Sequence, residues 1–484
     1  MLSATQVVVV LCVINTINFI YCVIIPSAPV QFQSFVQDAL GVSANRTNAY
    51  MGLVESTNFT TYAVSLIVFG FLSKKQRPFH LITCGVVLWS IAAFLCGFSY
   101  YASSFAMVFV GRGLSGIAEA SYSALSPPFI EKHAPETSRN FWTGAYYGCM
   151  SLGTGIGYIY GSRVAASLGW NWSFLIAGIA MAPLLCVTLF AIPDQFNRPF
   201  HENSTATAPS DKIASDATDS FVWMNLVSIL KSPMFITSTL GLAAHTFFLE
   251  GLSVFGPAIL IGRQVFPTAW VAPLFGAAVV VGGILGGAIG GYAMDAACAG
   301  RENDRPLRLR TACRQRFAFI LASMPLGIGA VFAIHNQSIF LPLFVLTVIC
   351  LYATLGTTTT TILLSVPESR HGLATGLSTA LTQVLGSVPA PLAIGVVKDW
   401  LSPGCGGSLD SSVVSEECAS ARNQEGLQWT LLLLVLWLSW ALLLWSISLW
   451  IAERTTRTEA SPRQEKVVET KSSAIQGQDS AQVL

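Results

Sequence analysis

Long apolar segments recur along the whole chain, and this recurrence constrains its fold more than any other feature. A helix needs roughly 20 apolar residues to cross a bilayer, and backbone groups in lipid must be hydrogen-bonded within the segment. Only 11% of the 484 residues are charged, against about 25% in soluble domains. We therefore predict an all-α membrane protein with twelve transmembrane helices. The segments fall at about 7–27, 50–72, 80–100, 105–129, 140–163, 171–193, 234–261, 269–293, 316–335, 338–366, 373–398 and 427–452.

A polar segment in the middle of the chain divides the twelve segments six and six. Residues 194–231 are rich in Ser, Thr, Asp and Pro and are predicted to be a cytoplasmic linker between two six-helix bundles, 1–193 and 232–452. Equal halves around a linker suggest pseudo-symmetric bundles with a central substrate path. Residues 453–484 are charged and poor in apolar side chains, so we expect them to form a disordered cytoplasmic tail.

Lysine and arginine are distributed unevenly between the two sides of the predicted membrane. Each loop is numbered by the segment that it follows. Of 26 such residues, 20 lie in the tail or in the even-numbered loops, which follow segments 2, 4, 6, 8 and 10. Five lie in odd-numbered loops or their edges, and one lies inside a span. Positive charge favours the cytoplasmic side, so both termini are predicted to be cytoplasmic. The sequon at Asn45 then lies outside, where it can be glycosylated. Cys405 and Cys418 lie on the same side and can form a disulfide there.

Motifs of several other protein classes are missing from the sequence. It contains no Gly-x-Ser-x-Gly, His-Glu-x-x-His or Gly-x-x-x-x-Gly-Lys-Ser/Thr, so direct nucleotide-driven transport lacks its phosphate cradle. The net charge of +1 and the lack of a basic run argue against a nucleic-acid partner. We predict a monomeric protein without enzymatic activity, cofactor or metal, which draws energy from an ion or substrate gradient.

Ionisable side chains inside the spans are the first candidates for function, because a charge near the bilayer centre is costly. Arg112 and Glu119 are nearly two helical turns apart in the fourth span, so they share a face about 10 Å apart along the axis. We expect this face to turn inward. Arginine can hold an anionic headgroup, and a buried carboxyl group can bind a proton near neutral pH. The alternative is an arginine that bonds backbone carbonyls of the neighbouring span.

Five further polar side chains in the spans are candidates for function. Glu55 is in the second span, and His245 and Glu250 are in the seventh, at a spacing that gives only partly overlapping faces. Asn15 and Asn18, three residues apart, form a polar stripe in the first span. For all five, a hydrogen-bonded packing role is as good an interpretation as contact with substrate or proton.

A run of motifs in the fourth and fifth spans resembles a known family. The fourth span contains Gly111-Arg112-Gly113, Glu119-Ala120-Ser121-Tyr122-Ser123 and Pro127, and the fifth contains Gly153-Thr154-Gly155-Ile156-Gly157-Tyr158 and Gly161-Ser162. This pattern resembles the Spinster-type branch of the major facilitator superfamily. The resemblance implies two rocking six-helix bundles that export lysophospholipids or sphingoid-base phosphates, from lysosomes or endosomes or across the plasma membrane. It also implies proton coupling at Glu119 and substrate contact or gating at Arg112.

The same resemblance implies gate residues at Asp295, within Gly291-Tyr292-Ala293-Met294-Asp295, and at Arg370, within Val366-Pro367-Glu368-Ser369-Arg370. Two positions depart from the family pattern. Tyr21-Cys22 stands where the first span of the family usually has Asp-Arg, and Lys74-Lys75 replaces an Asp-Arg pair in the loop after the second span. Our hypothesis is that Glu55 or Glu250 supplies the carboxylate missing from the first span.

The sequence thus predicts a proton-linked secondary transporter of an amphipathic anionic or zwitterionic lipid. Arg112 is expected near the headgroup, with Glu119 as the residue that responds to protons. Two alternatives stay open. One is the same fold carrying a small organic anion or another soluble metabolite, and the other is a membrane sensor that transports nothing.

Overall fold

The computed structural model describes residues 2–73, 76–135, 139–197, 224–301, 304–405 and 416–481. Within those residues every regular element is a helix. Twelve long helices cross the molecule and are numbered α1 to α12 in chain order. They are α1 Ala4–Cys22, α2 Thr47–Leu72, α3 Pro78–Phe98, α4 Phe105–His133, α5 Arg139–Leu168, α6 Trp170–Phe190, α7 Pro233–Gly262, α8 Thr268–Cys298, α9 Arg305–Phe332, α10 Gln337–Leu364, α11 His371–Leu401 and α12 Ala421–Ala481.

Nine helices in the described part of the chain are long and apolar enough to cross a membrane. The other three long helices, α2, α4 and α5, are more polar, yet they have 26, 29 and 30 residues and so are also long enough to cross. Their lower hydropathy has a physical reason. Helices α2 and α4 carry buried ionisable side chains, and α5 carries the glycine-rich motif. The molecule is therefore an all-α, multi-pass integral membrane protein.

The first helix is followed by two further helical pieces: Ile24–Ser27, which lies within the predicted span, and Pro29–Leu40, which lies beyond it. Proline at the first helical position is compatible with a new start, and Pro29 occupies that position. The extension ends at Gly41, whose φ of 63° gives the left-handed cap that glycine accommodates without strain. This extension lies at the end of α1 that leads into residues 41–46. We call that side of the molecule the loop-1 side, and the opposite side, where α1 begins, the terminus side.

Glycines let neighbouring helices approach closely. A Cβ atom on Gly153 of α5 would lie 2.6 Å from the carbonyl oxygen of Thr16 in α1. A Cβ atom on Gly286 of α8 would lie 2.5 Å from the carbonyl oxygen of Ile349 in α10. Without a hydrophobic drive between helices in lipid, such backbone contact is a main source of packing energy.

Two helix pairs join the first six helices to the last six: α2 packs on α11, and α5 packs on α8. In the first pair, a Cβ atom on Gly52 would lie 2.2 Å from the carbonyl oxygen of Pro391. In the second, a Cβ atom on Gly276 would lie 2.9 Å from the carbonyl oxygen of Gly155. All four residues lie in the halves of their helices nearer the loop-1 side. The two halves of the molecule are therefore closely packed on that side.

The same helices diverge toward the terminus side. Gly148 of α5 and Gly287 of α8 lie farther toward that side, and a Cβ atom on either would have no neighbour within 4 Å. The same holds for Gly70 near the end of α2 and for Gly372 near the start of α11. Among the described residues, the contact between the halves thus weakens from the loop-1 side to the terminus side.

Helix α11 contains one irregular turn. Residues Gln383–Ser387 form a π-helical turn, in which the amide of Val388 donates to the carbonyl oxygen of Gln383 at 2.9 Å. Pro389 follows directly and begins the next regular stretch, Pro389–Leu401. Proline has no amide hydrogen to continue the regular pattern, and single π turns accommodate such interruptions within a helix.

The last helix extends into the predicted tail. Helix α12 continues from the membrane span through residue 453 to Ala481. In the predicted linker, residues 198–223 lie outside the described residues, as does Lys74-Lys75.

Candidate functional site

An ion pair lies inside the first half of the molecule, between α4 and α2. Arg112 of α4 and Glu55 of α2 are 1% and 2% exposed, and Nη2 of Arg112 donates to Oε2 of Glu55. The two helices are close because Gly116 leaves room for the backbone of Asn58, whose carbonyl oxygen would lie 2.2 Å from a Cβ atom at position 116. The Asn58 side chain also donates to the carbonyl oxygen of Arg112 at 3.2 Å. This packing fixes both backbones that carry the pair.

An aromatic group forms another wall of the site. The guanidinium carbon of Arg112 lies 5.2 Å from the centre of the Tyr21 ring, within the range of cation–π attraction. Trp89 and Phe174 hold Tyr21, with ring centres 4.8 Å and 5.0 Å away. Tyr21 is one of the two residues that depart from the family pattern in the first span. Here it gives the arginine an aromatic neighbour instead of a carboxylate.

The ion pair does not use all of its hydrogen-bonding groups. Nε and Nη1 of Arg112 and Oε1 of Glu55 are buried without a partner in the described part of the chain. Buried polar atoms of proteins are nearly always hydrogen-bonded. A guanidinium with two donor atoms to spare can make charge-assisted hydrogen bonds to an oxyanion such as a carboxylate or a phosphate.

Glu119 lies on the same helix but is not the partner of Arg112. It is 8% exposed, and its Oε2 accepts a hydrogen bond from the thiol of Cys22 at 3.9 Å. Within 4 Å, the described carboxylate that meets Arg112 is that of Glu55. Both Arg112 and Glu119 therefore turn into the protein. Among the described residues they form no ion pair with each other in this conformation, although Glu119 lies within electrostatic range of Arg112.

Glu250 of α7 approaches the same region from the second half of the molecule. It is partly buried and lies within electrostatic range of Glu55 and Glu119. Nearby, the hydroxyl of Tyr158 in α5 donates to the carbonyl oxygen of Ser253 in α7 at 2.6 Å, a direct bond between the halves. The structure thus brings three of the predicted carboxylates and Arg112 together across the junction of the halves.

The remaining polar candidates make packing contacts. Nδ2 of Asn15 donates to the carbonyl oxygen of Tyr146 at 3.1 Å, which joins α1 to α5. Asn18 Oδ1 accepts from the indole of Trp89 at 3.0 Å, and the side-chain amide of Asn18 also interacts with the carboxyl group of Glu119. His245 is fully buried inside the second half, with Nε2 3.2 Å from the carbonyl oxygen of Leu351. It does not join Glu250 at the junction.

The predicted gate residues lie on the terminus side. Asp295 is exposed, and Arg370 donates to the hydroxyl of Ser228 at 2.8 Å. In the part of the chain that the structure describes, neither forms an ion pair. On the loop-1 side, Cys405 and Cys418 form a disulfide with their Cα atoms 4.6 Å apart.

The predicted glycosylation site and a cavity lie on the loop-1 side as well. Asn45 is exposed there. A cavity of about 980 Å³ opens on this side and does not include Arg112 or Glu119 among its walls. It is lined mainly by residues 27–38, 100–103 and 162–171.

Two buried cations are predicted from the sequence to lie in loops or at their edges. Arg316 of α9 is fully buried, donates to the hydroxyl of Ser238 at 3.1 Å and lies 5.3 Å from the ring centre of Trp445. Lys398 of α11 is 1% exposed. Each lies at the end of a predicted apolar segment, where the boundary is uncertain by a few residues. A second charge beside Lys398, at Asp399, is the signal that could have indicated a paired, buried site.

Comparison with known proteins shows the family to which this chain belongs. A model of the Major Facilitator Superfamily matches residues 7–391. The probable sphingolipid transporter spinster homolog 1 of Arabidopsis thaliana is 30% identical over 429 residues, covering 83% of this chain and 84% of the relative. Protein spinster homolog 1 of Homo sapiens is 25% identical over 416 residues, covering 82% and 73%.

Solved structures show the same fold. A bacterial homologue of the human lysosomal transporter Spinster, in an inward-facing and occupied conformation, gives a TM-score of 0.70 at 17% identity, covering 92% of this chain and 96% of that one. The nucleoside transporter NupG gives 0.59 at 13% identity, covering 91% and 98%. With the helix count, the junction of the halves and the family match, the chain belongs to the major facilitator superfamily and, within it, to the Spinster-type transporters.

Proposed function

We propose that this chain is a proton-linked secondary transporter that moves lysophospholipids or sphingoid-base phosphates by alternating access. The observation that carries the proposal is the buried Arg112, which pairs with Glu55 and keeps two guanidinium donors unfilled. The choice of lipid is supported by the sphingolipid transporters among the relatives. We further propose that both termini are cytoplasmic, that the membrane is lysosomal, endosomal or plasma membrane, and that the protein acts as a monomer.

The proposed role of Arg112 is to bind the headgroup phosphate. A phosphate offers several acceptor oxygens and can accept charge-assisted hydrogen bonds from the unfilled guanidinium donors. Because a dianionic or monoanionic phosphate competes with the carboxylate of Glu55 for the same guanidinium, headgroup binding loosens the ion pair. The arginine itself stays charged throughout, since a guanidinium does not give up its proton in proteins.

The proposed proton acceptor follows from this competition. A buried carboxylate that loses its cationic partner becomes unstable as a charge and instead binds a proton. In this scheme Glu55 takes up a proton when the phosphate takes Arg112, and releases it when the ion pair forms again. Of the two candidates for the missing first-span carboxylate, Glu55 is therefore favoured over Glu250, because Glu55 contacts Arg112. Glu119, bonded to Cys22, is proposed as a second proton-responsive group.

The test is uptake into proteoliposomes that contain the purified protein, from a panel of lysolipids, sphingoid-base phosphates and small organic anions, with and without a pH gradient. We expect phosphate-bearing lipids to be taken up, at a rate that depends on the gradient. Glu55→Gln is expected to remove the pH dependence, and Glu119→Gln to alter it. Glu131→Gln is the matched control, because Glu131 is exposed on the same helix as Glu119.

Each alternative corresponds to a distinct outcome of this assay. Uptake of small anions that lysolipids do not inhibit would indicate that the substrate is a soluble anion and not a lipid. Binding of a candidate substrate without counterflow would indicate a sensor and not a transporter. Unchanged pH dependence in both Glu55→Gln and Glu119→Gln would disprove the proton mechanism.

A further inference from the structure

A carboxylate from one half of the molecule binds the first backbone amides of a helix in the other half. Asp399, near the end of α11, accepts from the amide of Ala49 at 2.7 Å and from the amide of Asn48 at 3.3 Å. The same carboxylate accepts from the side-chain amide of Asn48 at 2.7 Å. Asn48 and Ala49 are the second and third residues of α2, which begins at Thr47.

The N-terminus of α2 has no cap of its own. The residue in the cap position is Arg46, and it makes no capping hydrogen bond with its side chain. The first amides of a helix need acceptors, and an anion at that end also interacts favourably with the helix dipole. Asp399 supplies both. A structural need of the first half of the molecule is therefore met by a side chain of the second half.

A buried lysine completes the contact. Nζ of Lys398 donates to Oδ1 of Asn48 at 2.8 Å and to the carbonyl oxygen of Cys405 at 2.9 Å. Gln33, in the extension of α1, donates to the same Asn48 oxygen at 2.7 Å. All of these side chains are more than nine-tenths buried, with Asn48 at 0%, Lys398 at 1%, Gln33 at 2% and Asp399 at 8% exposed. We call Gln33, Asn48, Lys398 and Asp399 the loop-1 latch.

The latch sits where the two halves must separate if the protein opens to the loop-1 side. Next to the latch, toward the terminus side, the backbones of α11 and α2 are in contact, since a Cβ atom on Gly395 of α11 would lie 2.4 Å from the carbonyl oxygen of Asn48. About one helical turn farther toward the terminus side, the amide of Leu392 in α11 donates to the hydroxyl of Ser56 in α2 at 3.2 Å. These contacts lie on the side where the halves are closely packed, and they bridge the halves.

We propose that the loop-1 latch is the gate of the loop-1 side, and that each opening on that side uncaps α2. The inference rests on the alternating access of the proposed function, but not on the identity of the cargo. When the halves part, the Asp399 carboxylate leaves two backbone amides, and Lys398 loses its Asn48 acceptor. Water must replace these partners, so the gate opens only as water enters. Removing the carboxylate weakens the closed state without altering the site at Arg112.

The test measures the two sides of the molecule separately. Spin labels are attached to cysteines introduced at Tyr101 and Ile339, both exposed on the loop-1 side in opposite halves. A second pair, at Val68 and Tyr292, reports the terminus side. Distances are measured by double electron–electron resonance on the full-length protein without substrate. The exposed free cysteines, Cys84 and Cys186, are replaced by serine in every sample.

Asp399→Ala is expected to raise the ratio of loop-1-open to loop-1-closed molecules at least tenfold, with a matching shortening at the terminus side. Lys398→Met is the second variant. It keeps most of the length of the side chain but removes the donors, and it is expected to shift the same ratio in the same direction. Asp38→Ala is the control, because Asp38 is an exposed carboxylate on the same side, and it should match the parent protein.

The proposal is overturned if either latch variant is folded and monodisperse and keeps the parent distance distributions on both sides. The result is independent of transport. A protein that carries some other substrate would still show the shift. Conversely, unchanged distances would leave a proton-linked lipid transporter intact with a different gate.

Discussion

The ion pair between Arg112 and Glu55 should respond unequally to the loss of either partner. In Glu55→Gln, Arg112 remains charged and 1% exposed. The ring of Tyr21 and the more distant carboxylate of Glu119 are then its electrostatic neighbours, and neither replaces the lost ion pair. In Arg112→Gln, the lone carboxyl group can neutralise itself by binding a proton. We therefore expect Glu55→Gln to be clearly the more harmful change.

The size of the effect follows from the burial. Removing one partner of a buried pair destabilises a protein by about 3–5 kcal/mol, because a charge is left uncompensated. For a cooperative unit of 150–250 residues, this corresponds to a fall in melting temperature of roughly 6–20 °C. Arg112→Gln should lose less, and Glu55→Gln combined with Arg112→Gln should recover much of the loss, since neither member of the pair is then left charged without its partner.

The assay is thermal unfolding in detergent, followed by tryptophan fluorescence and by size-exclusion chromatography of heated samples. Glu131→Gln serves as the control and should melt within about 1 °C of the parent, because exposed substitutions away from special features are nearly neutral. Equal melting temperatures for Glu55→Gln and Arg112→Gln would contradict the reasoning. So would a double variant less stable than Glu55→Gln alone.

Two further predictions concern packing and the disulfide. Gly286→Ala should destabilise the protein by about 1–3 kcal/mol, because its Cβ would meet the carbonyl oxygen of Ile349 at 2.5 Å; Gly287→Ala, with open space around it, should melt like the parent, and equal melting of the two would refute this. Replacing Cys405 and Cys418 by serine should remove about 3 kcal/mol, since the bond closes a short loop of sequence separation 13; reductant should then lower the melting temperature of the parent but not of this variant, and a parent insensitive to reductant would contradict the prediction.

The inward face of the fourth span could be predicted from the sequence, but its partner could not. Helical spacing places Arg112 and Glu119 on one face, and both are buried as expected. Glu55, however, lies 57 residues away on another helix. Periodicity within one span says which side chains turn inward. It does not say which helix faces them, because that depends on how the helices pack.

The loop-1 latch was missed for a related reason. Lys398 stands at the end of a predicted apolar segment, where a charged residue is normally solvated at the membrane surface. Its acceptor, Asn48, is 350 residues away, so no local pattern connects them. Arg316 was likewise assigned to a loop, and only the packing of Ser238 and Trp445 around it shows that it belongs to the interior.

The π turn at Gln383–Ser387 sets the rotational phase of the last part of α11. One residue more or less in an α-helix turns everything beyond it by about 100° around the axis. Deleting a single residue from this turn would restore a regular helix and swing Asp399 away from α2, while the stretch before the turn would keep its orientation. A chain-length change of one residue inside the membrane could therefore release a contact several turns away.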